Sequence, residues 1–136
     1  MKKIFFLAAI CSIALPVLSQ WNKLPVVISP KFKKDTISIV KFGAIPDGFN
    51  LNTKSINDAI TAVSKKGGGV VFVPAGLWLT GPVVIKSNVN LHLAQGATLL
   101  FTADKSQYPL VAANWEGLPQ MRNQSPVSAT DAVNIA

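Results

Sequence analysis

Residues 39–101 hold the feature that most constrains the fold, a strand–Gly–helix–Gly–strand succession. Within it the apolar residues Ile56, Ala59, Ile60 and Val63 recur at helical spacing, which predicts one amphipathic helix. Asn52 and Thr53 offer side-chain oxygens that could cap its first turn. Lys65 and Lys66 suit its last turn, and Gly67, Gly68 and Gly69 stop it, because glycine accepts the left-handed backbone that ends many helices.

Short strands surround this helix. The prediction is a first strand at Ile37–Phe42, ended by Gly43, and then five more: Val70–Pro74, Leu77–Thr80, Val83–Lys86, Val89–Ala94 and Thr98–Phe101. Val89, Leu91 and Leu93 alternate with Asn90 and His92, as on a strand with one buried face. The spacing leaves no room for crossover helices. Bends rather than two-residue hairpin turns separate the strands, which favours a β-solenoid covered by the helix over an antiparallel sandwich.

The first residues are typical of an exported protein. Lys2 and Lys3 precede an apolar run that ends at Pro16, and Val17 and Ser19 match the small residues before a signal-peptidase cut. We therefore expect a signal peptide at residues 1–19, an extended leader at 20–36, and a secreted or periplasmic protein. A membrane anchor needs about 20 apolar residues, so this run is too short. A lipoprotein signal at Cys11, the single cysteine, would need a small residue where Ile10 stands.

The chain is basic, and its formal net charge falls from +7 to +5 when Lys2 and Lys3 are removed. Lys31, Lys33 and Lys34 form the densest basic cluster. Such a cluster can attract an anionic polymer, or it can be a solvated linker, and its short length favours the linker. Export argues against nucleic acid as a partner.

The order of motifs resembles the start of the polygalacturonases, glycoside hydrolase family 28, in the pectin-lyase-like β-helix superfamily. The motifs are Val40-Lys-Phe-Gly-Ala44, Asp47-Gly48, Gly67-Gly-Gly-Val-Val-Phe-Val-Pro-Ala-Gly76, Leu79-Thr-Gly-Pro82, Gly96-Ala-Thr-Leu99, Tyr108-Pro109 and Trp115-Glu-Gly117. The glycine-rich blocks occur in many β-helix proteins, whereas Leu-Thr-Gly-Pro followed by Trp-Glu-Gly points to the polygalacturonase branch. The resemblance implies an all-β, right-handed parallel β-helix, with residues 37–136 as its N-terminal cap and first coils.

The resemblance also implies hydrolysis of α-linked galacturonate in pectin with inversion, without cofactor or metal, by a monomer. The family places its catalytic groups in Asn-Thr-Asp, Asp-Asp, Gly-His-Gly and Arg-Ile-Lys segments, none of which occurs here; Asn52-Thr53-Lys54 has Lys in place of Asp. We expect no catalytic residue in residues 1–136, an incomplete domain at Ala136, and aggregation of this piece when it is made alone. Two alternatives remain, another pectin-active β-helix enzyme (pectate lyase or rhamnogalacturonan hydrolase) and a non-catalytic polysaccharide-binding or adhesin module.

Several single residues invite a functional interpretation. His92, the only histidine, lacks a partner at ligand spacing and is expected on the strand surface. Glu116 would need a second carboxylate, Asp104 or Asp131, to act as a glycosidase acid. Trp78 and Trp115 could stack on a sugar, although covering the side of the solenoid is favoured for Trp78, which faces away from Leu77 and Leu79, and packing against the coil is favoured for Trp115. Asp35, Asp47 and Asp58 are expected to make local hydrogen bonds or to face solvent.

Overall fold

The computed structural model describes residues 29–136. The signal peptide expected at residues 1–19, Cys11 included, and the leader up to residue 28 lie outside the described residues. Among the residues described, no helix is long and apolar enough to cross a membrane.

The described chain is rich in short strands and has one α-helix. The strands are β1 (Thr36–Ser38), β2 (Gly69–Val73), β3 (Gly76–Thr80), β4 (Val83–Val84), β5 (Val89–Leu93), β6 (Ala97–Phe101), β7 (Leu110–Trp115), β8 (Leu118–Asn123) and β9 (Val127–Ser128). The helix α1 spans Thr53–Lys65, and two short 3-10 helices span Ile39–Phe42 and Lys105–Gln107. The five strands predicted after the helix are all present, although the third ends at Val84 rather than at Lys86.

Parallel pairing arranges seven of these strands in three sheets. Sheet 1 has the order β1-β2-β5, sheet 2 pairs β3 with β6, and sheet 3 pairs β4 with β9, all in parallel. The unit β2–β3–β4 therefore lies beside a second unit, β5–β6–β9, strand for strand. Residues 133–136 then return along β5, where the Leu91 N–H donates to the Ala136 carbonyl at 2.8 Å.

The core lies between these sheets and α1. The predicted helical stripe, Ile56, Ala59, Ile60 and Val63, is buried as expected. It packs with the inward side chains of sheet 1, and Trp78 fills the space beside sheet 2. The side chains on the predicted inward face of β5 become more exposed along the strand. Val89 is buried, Leu91 is half-buried and Leu93 is 39% exposed.

The first strand is shorter than its pattern predicts. β1 ends at Ser38, and the expected continuation to Phe42 is wrong because Ile39–Phe42 forms a 3-10 helix. The Ser38 hydroxyl accepts the Val40 N–H at 3.3 Å, and this turn buries Ile39 completely while Lys41 faces solvent. Gly43 then ends the turn with a φ of 83°, as its position predicted.

The start of α1 differs from the predicted side-chain cap. Asn52 is at the N-cap position, but its side chain makes no capping hydrogen bond to the helix. It instead accepts the Ile45 N–H at 2.7 Å and donates to the carbonyls of Ile45, Asn50 and Leu79. The Thr53 hydroxyl accepts the Gly81 N–H at 2.6 Å. Both side chains thus join the helix start to neighbouring segments, because those segments also need partners for their buried backbone groups.

The end of α1 follows the prediction. The Gly67 N–H donates to the Ser64 carbonyl at 2.9 Å and the Gly68 N–H to the Val63 carbonyl at 3.0 Å. Gly67 has a φ of 85°, the left-handed conformation that such an ending requires.

Candidate functional site

A β-hairpin between β6 and β9 carries a continuous series of exposed side chains. β7 and β8 pair in antiparallel fashion and are joined by Glu116 and Gly117. Both turn residues have positive φ, 50° and 87°, which is the geometry of a two-residue type I′ hairpin turn. The Asn114 side chain accepts the Gly117 N–H at 2.8 Å and closes the turn. The sequence prediction missed this hairpin.

The base of the hairpin is tied to the rest of the chain by polar contacts. The Gln124 N–H donates to the Pro109 carbonyl at 2.9 Å, and the Asn123 amide donates to the Tyr108 carbonyl at 3.1 Å. All hairpin residues except Ala113 are exposed. The hairpin therefore extends from the described body with both faces accessible.

One face of the hairpin brings an aromatic and a cation together. Alternation along the two strands places six side chains on this face: Val111, Ala113, Trp115, Leu118, Gln120 and Arg122. Arg122 and Trp115 are near its two ends, and the Arg122 guanidinium carbon lies 4.5 Å from the centre of the Trp115 ring. Ala113 lies between them, and its small side chain leaves room for Arg122 to extend along the face.

The same face borders an open depression of about 640 Å³. Gln120 and Arg122 line it from the hairpin, and Gln124, Ser125 and Pro126 line it from the segment that follows. Arginine and amide side chains in an open groove can donate hydrogen bonds to hydroxyl and carboxylate oxygens. An exposed indole adds a flat apolar surface.

Comparison with known proteins gives a consistent relationship. A family model described as rhamnogalacturonase A/epimerase, pectate lyase-like matches residues 36–104, just over half of the chain. The chain belongs to this family. A probable polygalacturonase from Vitis vinifera is 44% identical over 77 residues, which make up 54% of this chain and 16% of that protein.

Solved structures extend the likeness beyond the family match. An exopolygalacturonase from Thermotoga maritima aligns with a TM-score of 0.73 and 35% identity, over 80% of this chain and 24% of that one. A family 28 exopolygalacturonase from Yersinia enterocolitica aligns with a TM-score of 0.66 and 35% identity, over 75% of this chain and 18% of that one. The chain thus spans about a quarter or less of the length of these relatives.

The tryptophans of this family member occupy opposite environments. Trp78 is 1% exposed, faces away from Leu77 as predicted, and its indole N–H donates to the Pro74 carbonyl at 2.8 Å, so it is a core residue. Trp115 is 52% exposed and contacts Arg122, so within residues 29–136 it does not pack against the coil as expected. The expected irregular segment around Trp115 is a hairpin strand, which lifts the side chain from the core.

The single histidine lies where the sequence predicts. His92 is exposed on the outer face of β5, and its ring stacks on Phe72 of the neighbouring strand at 5.9 Å and 13°. Groups of three or more His, Cys, Asp or Glu side chains that could hold a metal ion do not occur in residues 29–136.

The carboxylates weighed as a catalytic pair lie in three separate segments. Glu116 is in the hairpin turn, Asp131 follows β9, and Asp104 caps the second 3-10 helix. Hydrogen bonds from the Ser106 side chain and backbone, and then from Gln107, lower the pKa of Asp104. A carboxyl held in its ionised form is a poor general acid, because that role needs a raised pKa.

The other charged candidates make local contacts. The Asp47 carboxylate accepts the N–H groups of Asn50 and Phe49, and these backbone hydrogen bonds are the main cause of its lowered pKa. Asp58 pairs with Lys54 one helical turn away. Asp35 is exposed, as expected.

The basic cluster before β1 is partly engaged in structure. Lys33 extends its ammonium to the Lys66 carbonyl, 3.1 Å away, at the end of α1. The backbone of Lys31 exchanges two hydrogen bonds with the Asn134 side chain, and Lys34 is exposed. These contacts tie the cluster to the end of α1 and to Asn134.

Proposed function

We propose that this chain forms the N-terminal part of a secreted glycoside hydrolase of the polygalacturonase type. The whole protein would hydrolyse α-linked galacturonate in pectin with inversion at the anomeric carbon. The observation that carries this proposal is the 35% identity, over 80% of the chain, to a solved exopolygalacturonase. The identity to the probable polygalacturonase of Vitis vinifera supports it.

The proposed architecture is a right-handed parallel β-helix. Three parallel sheets receive strands in the same order from two successive units, which supports a solenoid. In this arrangement α1 covers the first unit, since its apolar stripe faces the sheets and its other side faces solvent. Such a cover protects the open end of the first sheets from pairing with other chains.

Inverting hydrolysis needs two carboxyl groups about 6.5–9.5 Å apart, one protonated and one ionised, with a water between them. Glu116, Asp104 and Asp131 are distributed over three surface segments, and the lowered pKa of Asp104 does not suit an acid. We therefore assign catalysis to none of these residues. The contribution proposed for this part of the protein is structural, with a role in substrate binding developed below.

The test is an assay of the protein made from its complete reading frame on polygalacturonate. We expect new reducing ends and, by proton NMR, a product that first appears as the β-anomer. An unsaturated product that absorbs ultraviolet light would instead indicate a lyase. Export is tested separately, by locating the protein in the medium or periplasm and by sequencing its mature N-terminus, which is expected at Gln20.

A rhamnogalacturonan hydrolase is the second candidate, because the matching family model is described by rhamnogalacturonase A. The two candidates differ in the polymer that is cut. Faster release of reducing ends from the alternating rhamnose–galacturonate backbone than from polygalacturonate would favour this second function.

A further inference from the structure

The hairpin face that carries Trp115 and Arg122 brings together an indole and a guanidinium that the buried core does not include. Trp115 and Arg122 are both exposed, and neither contributes to the buried core. Arg122 is the only arginine in the sequence. The one ion pair within residues 29–136 joins Lys54 to Asp58, so Arg122 has no carboxylate partner there, and the nearby Glu116 does not pair with it.

The Trp115 ring holds the guanidinium in place without consuming its hydrogen-bonding capacity. A cation over an aromatic ring at an exposed site gains about 0.5–1 kcal/mol. The guanidinium N–H groups lie in the plane of the group and remain free to donate, and a planar guanidinium is suited to bidentate binding of a carboxylate. The arrangement therefore offers guanidinium N–H groups that can donate to a carboxylate, next to the apolar ring of Trp115.

The groups around this pair suit a sugar. Gln120 lies on the same face between Arg122 and the turn, and its amide makes no hydrogen bond within residues 29–136. The open depression continues past Ser125, which adds a hydroxyl. A uronate ring offers the matching pattern, with C–H groups on one ring face, hydroxyls around the edge and a carboxylate at C6.

We propose that Trp115 and Arg122 form a binding site for a uronate residue of an acidic polysaccharide. Arg122 binds the carboxylate, the Trp115 ring face that Arg122 leaves open packs on the C–H face of the neighbouring sugar ring, and Gln120 donates to a hydroxyl. The choice of an acidic over a neutral polymer rests on charge complementarity, because the one cation on this face lacks a carboxylate partner in the described chain. This inference deepens the proposed function and rests on it for the identity of the polymer.

The experiment measures binding and turnover with the protein made from its complete reading frame. The variants are Trp115→Ala and Arg122→Gln. Phe49→Ala and Lys41→Ala are matched controls, because Phe49 is an aromatic that is 86% exposed and Lys41 is an exposed cation, both far along the chain from the hairpin. The probes are an oligogalacturonate of defined length and the neutral galacto-oligosaccharide of the same length.

We expect each hairpin variant to weaken oligogalacturonate binding about tenfold, which corresponds to the loss of one charge-assisted or stacking contact. The double variant should lose less than the product of the two effects, since the two side chains touch each other. On the polymer, KM should rise with kcat unchanged. Arg122→Gln should also reduce the salt dependence of binding, and the two controls should bind as the parent protein does.

Failure of this inference is distinguishable from failure of the proposed function. Hydrolysis of polygalacturonate with unchanged KM in both hairpin variants would overturn the site and leave the function in place. Oligogalacturonate binding that depends on Trp115 and Arg122 without hydrolysis would support the site and overturn the hydrolase. Equal binding of the neutral probe, or a fall of several degrees in the Tm of Trp115→Ala, would overturn the site, since the second result means that protein covers the indole.

Discussion

Asn52 offers the sharpest test of how this part of the protein is held together. Its buried side chain makes four hydrogen bonds and joins the segment around Ile45 to the end of β3 at Leu79. The two N–H groups of the amide are shared among three carbonyls, and the amide oxygen accepts one N–H. Aspartate has nearly the same shape as asparagine, but in its ionised form it has no donor.

The magnitudes for two substitutions follow from these contacts. Asn52→Ala removes the hydrogen bonds of two N–H groups and one amide oxygen, each worth about 1 kcal/mol, although Ile45 and Asn50 lie in an exposed turn and water can replace part of the loss. We expect a loss of about 2–4 kcal/mol in the free energy of unfolding. Asn52→Asp is expected to cost more at neutral pH, because it places an unpaired negative charge against three carbonyl oxygens in a buried site.

The two variants should respond differently to pH. The introduced carboxyl should have a pKa above its unfolded value of about 3.9, so its destabilising effect is absent below that pH and grows as pH rises. Thermal unfolding followed by circular dichroism, together with hydrogen exchange of α1, measures both effects. If Asn52→Asp were no less stable than Asn52→Ala at about pH 7, or if its deficit did not shrink near about pH 4, the assignment of the amide donors would be refuted.

Three further predictions concern the core, a glycine contact and a turn. Trp78→Ala should lower the free energy of unfolding by about 3–5 kcal/mol and Trp78→Phe by about 1–3 kcal/mol, while Trp115→Ala, which loses only the contact with Arg122, lowers it by no more than about 1 kcal/mol; denaturant unfolding measures all three. Gly68→Ala should prevent normal folding, because its Cβ would lie 2.6 Å from the Asn88 carbonyl oxygen. Gly43 also has a positive φ but has open space around it, so Gly43→Ala should lower the free energy of unfolding by about 1 kcal/mol. Equal Tm values for the two variants would contradict this. Asp47→Ala should reduce the Tm near about pH 7, and the reduction should shrink as pH falls below 3.8, because a carboxyl with a lowered pKa stabilises the fold above its ordinary pKa of 3.8 and loses this effect as pH falls through its folded value; a pH-independent difference would contradict it.

The helix and the strands β1 to β6 were predictable because their signals are local, whereas β9, with two residues, was not predicted. The stripe from Ile56 to Val63 has helical period, and the glycines after Lys66 meet a definite backbone requirement. Alternation likewise identified the inward face of β5. The errors at Ile39–Phe42 and at Asn52 have a common cause. In both places a side chain or a turn makes contacts with a neighbouring segment of the chain. The periodicity of one segment carries no information about the neighbour that it will contact.

The hairpin was missed because its signal is weak and its residues are poor strand formers. Alanines fill the middle of β7, and Pro119 lies within β8, where a proline usually argues against a strand. The usable signal was the Glu116-Gly117 dipeptide between two large apolar residues, since glycine at the second turn position is typical of a type I′ hairpin. Because the hairpin was not predicted, the sequence analysis placed Trp115 in an irregular segment.

The candidate binding pair lies beyond sequence reasoning for a more general reason. Arg122 is seven residues from Trp115, and in one continuous strand this odd separation would place them on opposite faces. The turn at Glu116-Gly117 and the pairing of Val111 with Arg122 place them on the same face. A one-residue slip in that register would send the two side chains to opposite faces, because side chains alternate with a period of two. The proposed uronate site therefore depends on the turn as much as on the two residues, and Gly117→Ala, which strains a φ of 87°, should weaken oligogalacturonate binding without touching either residue.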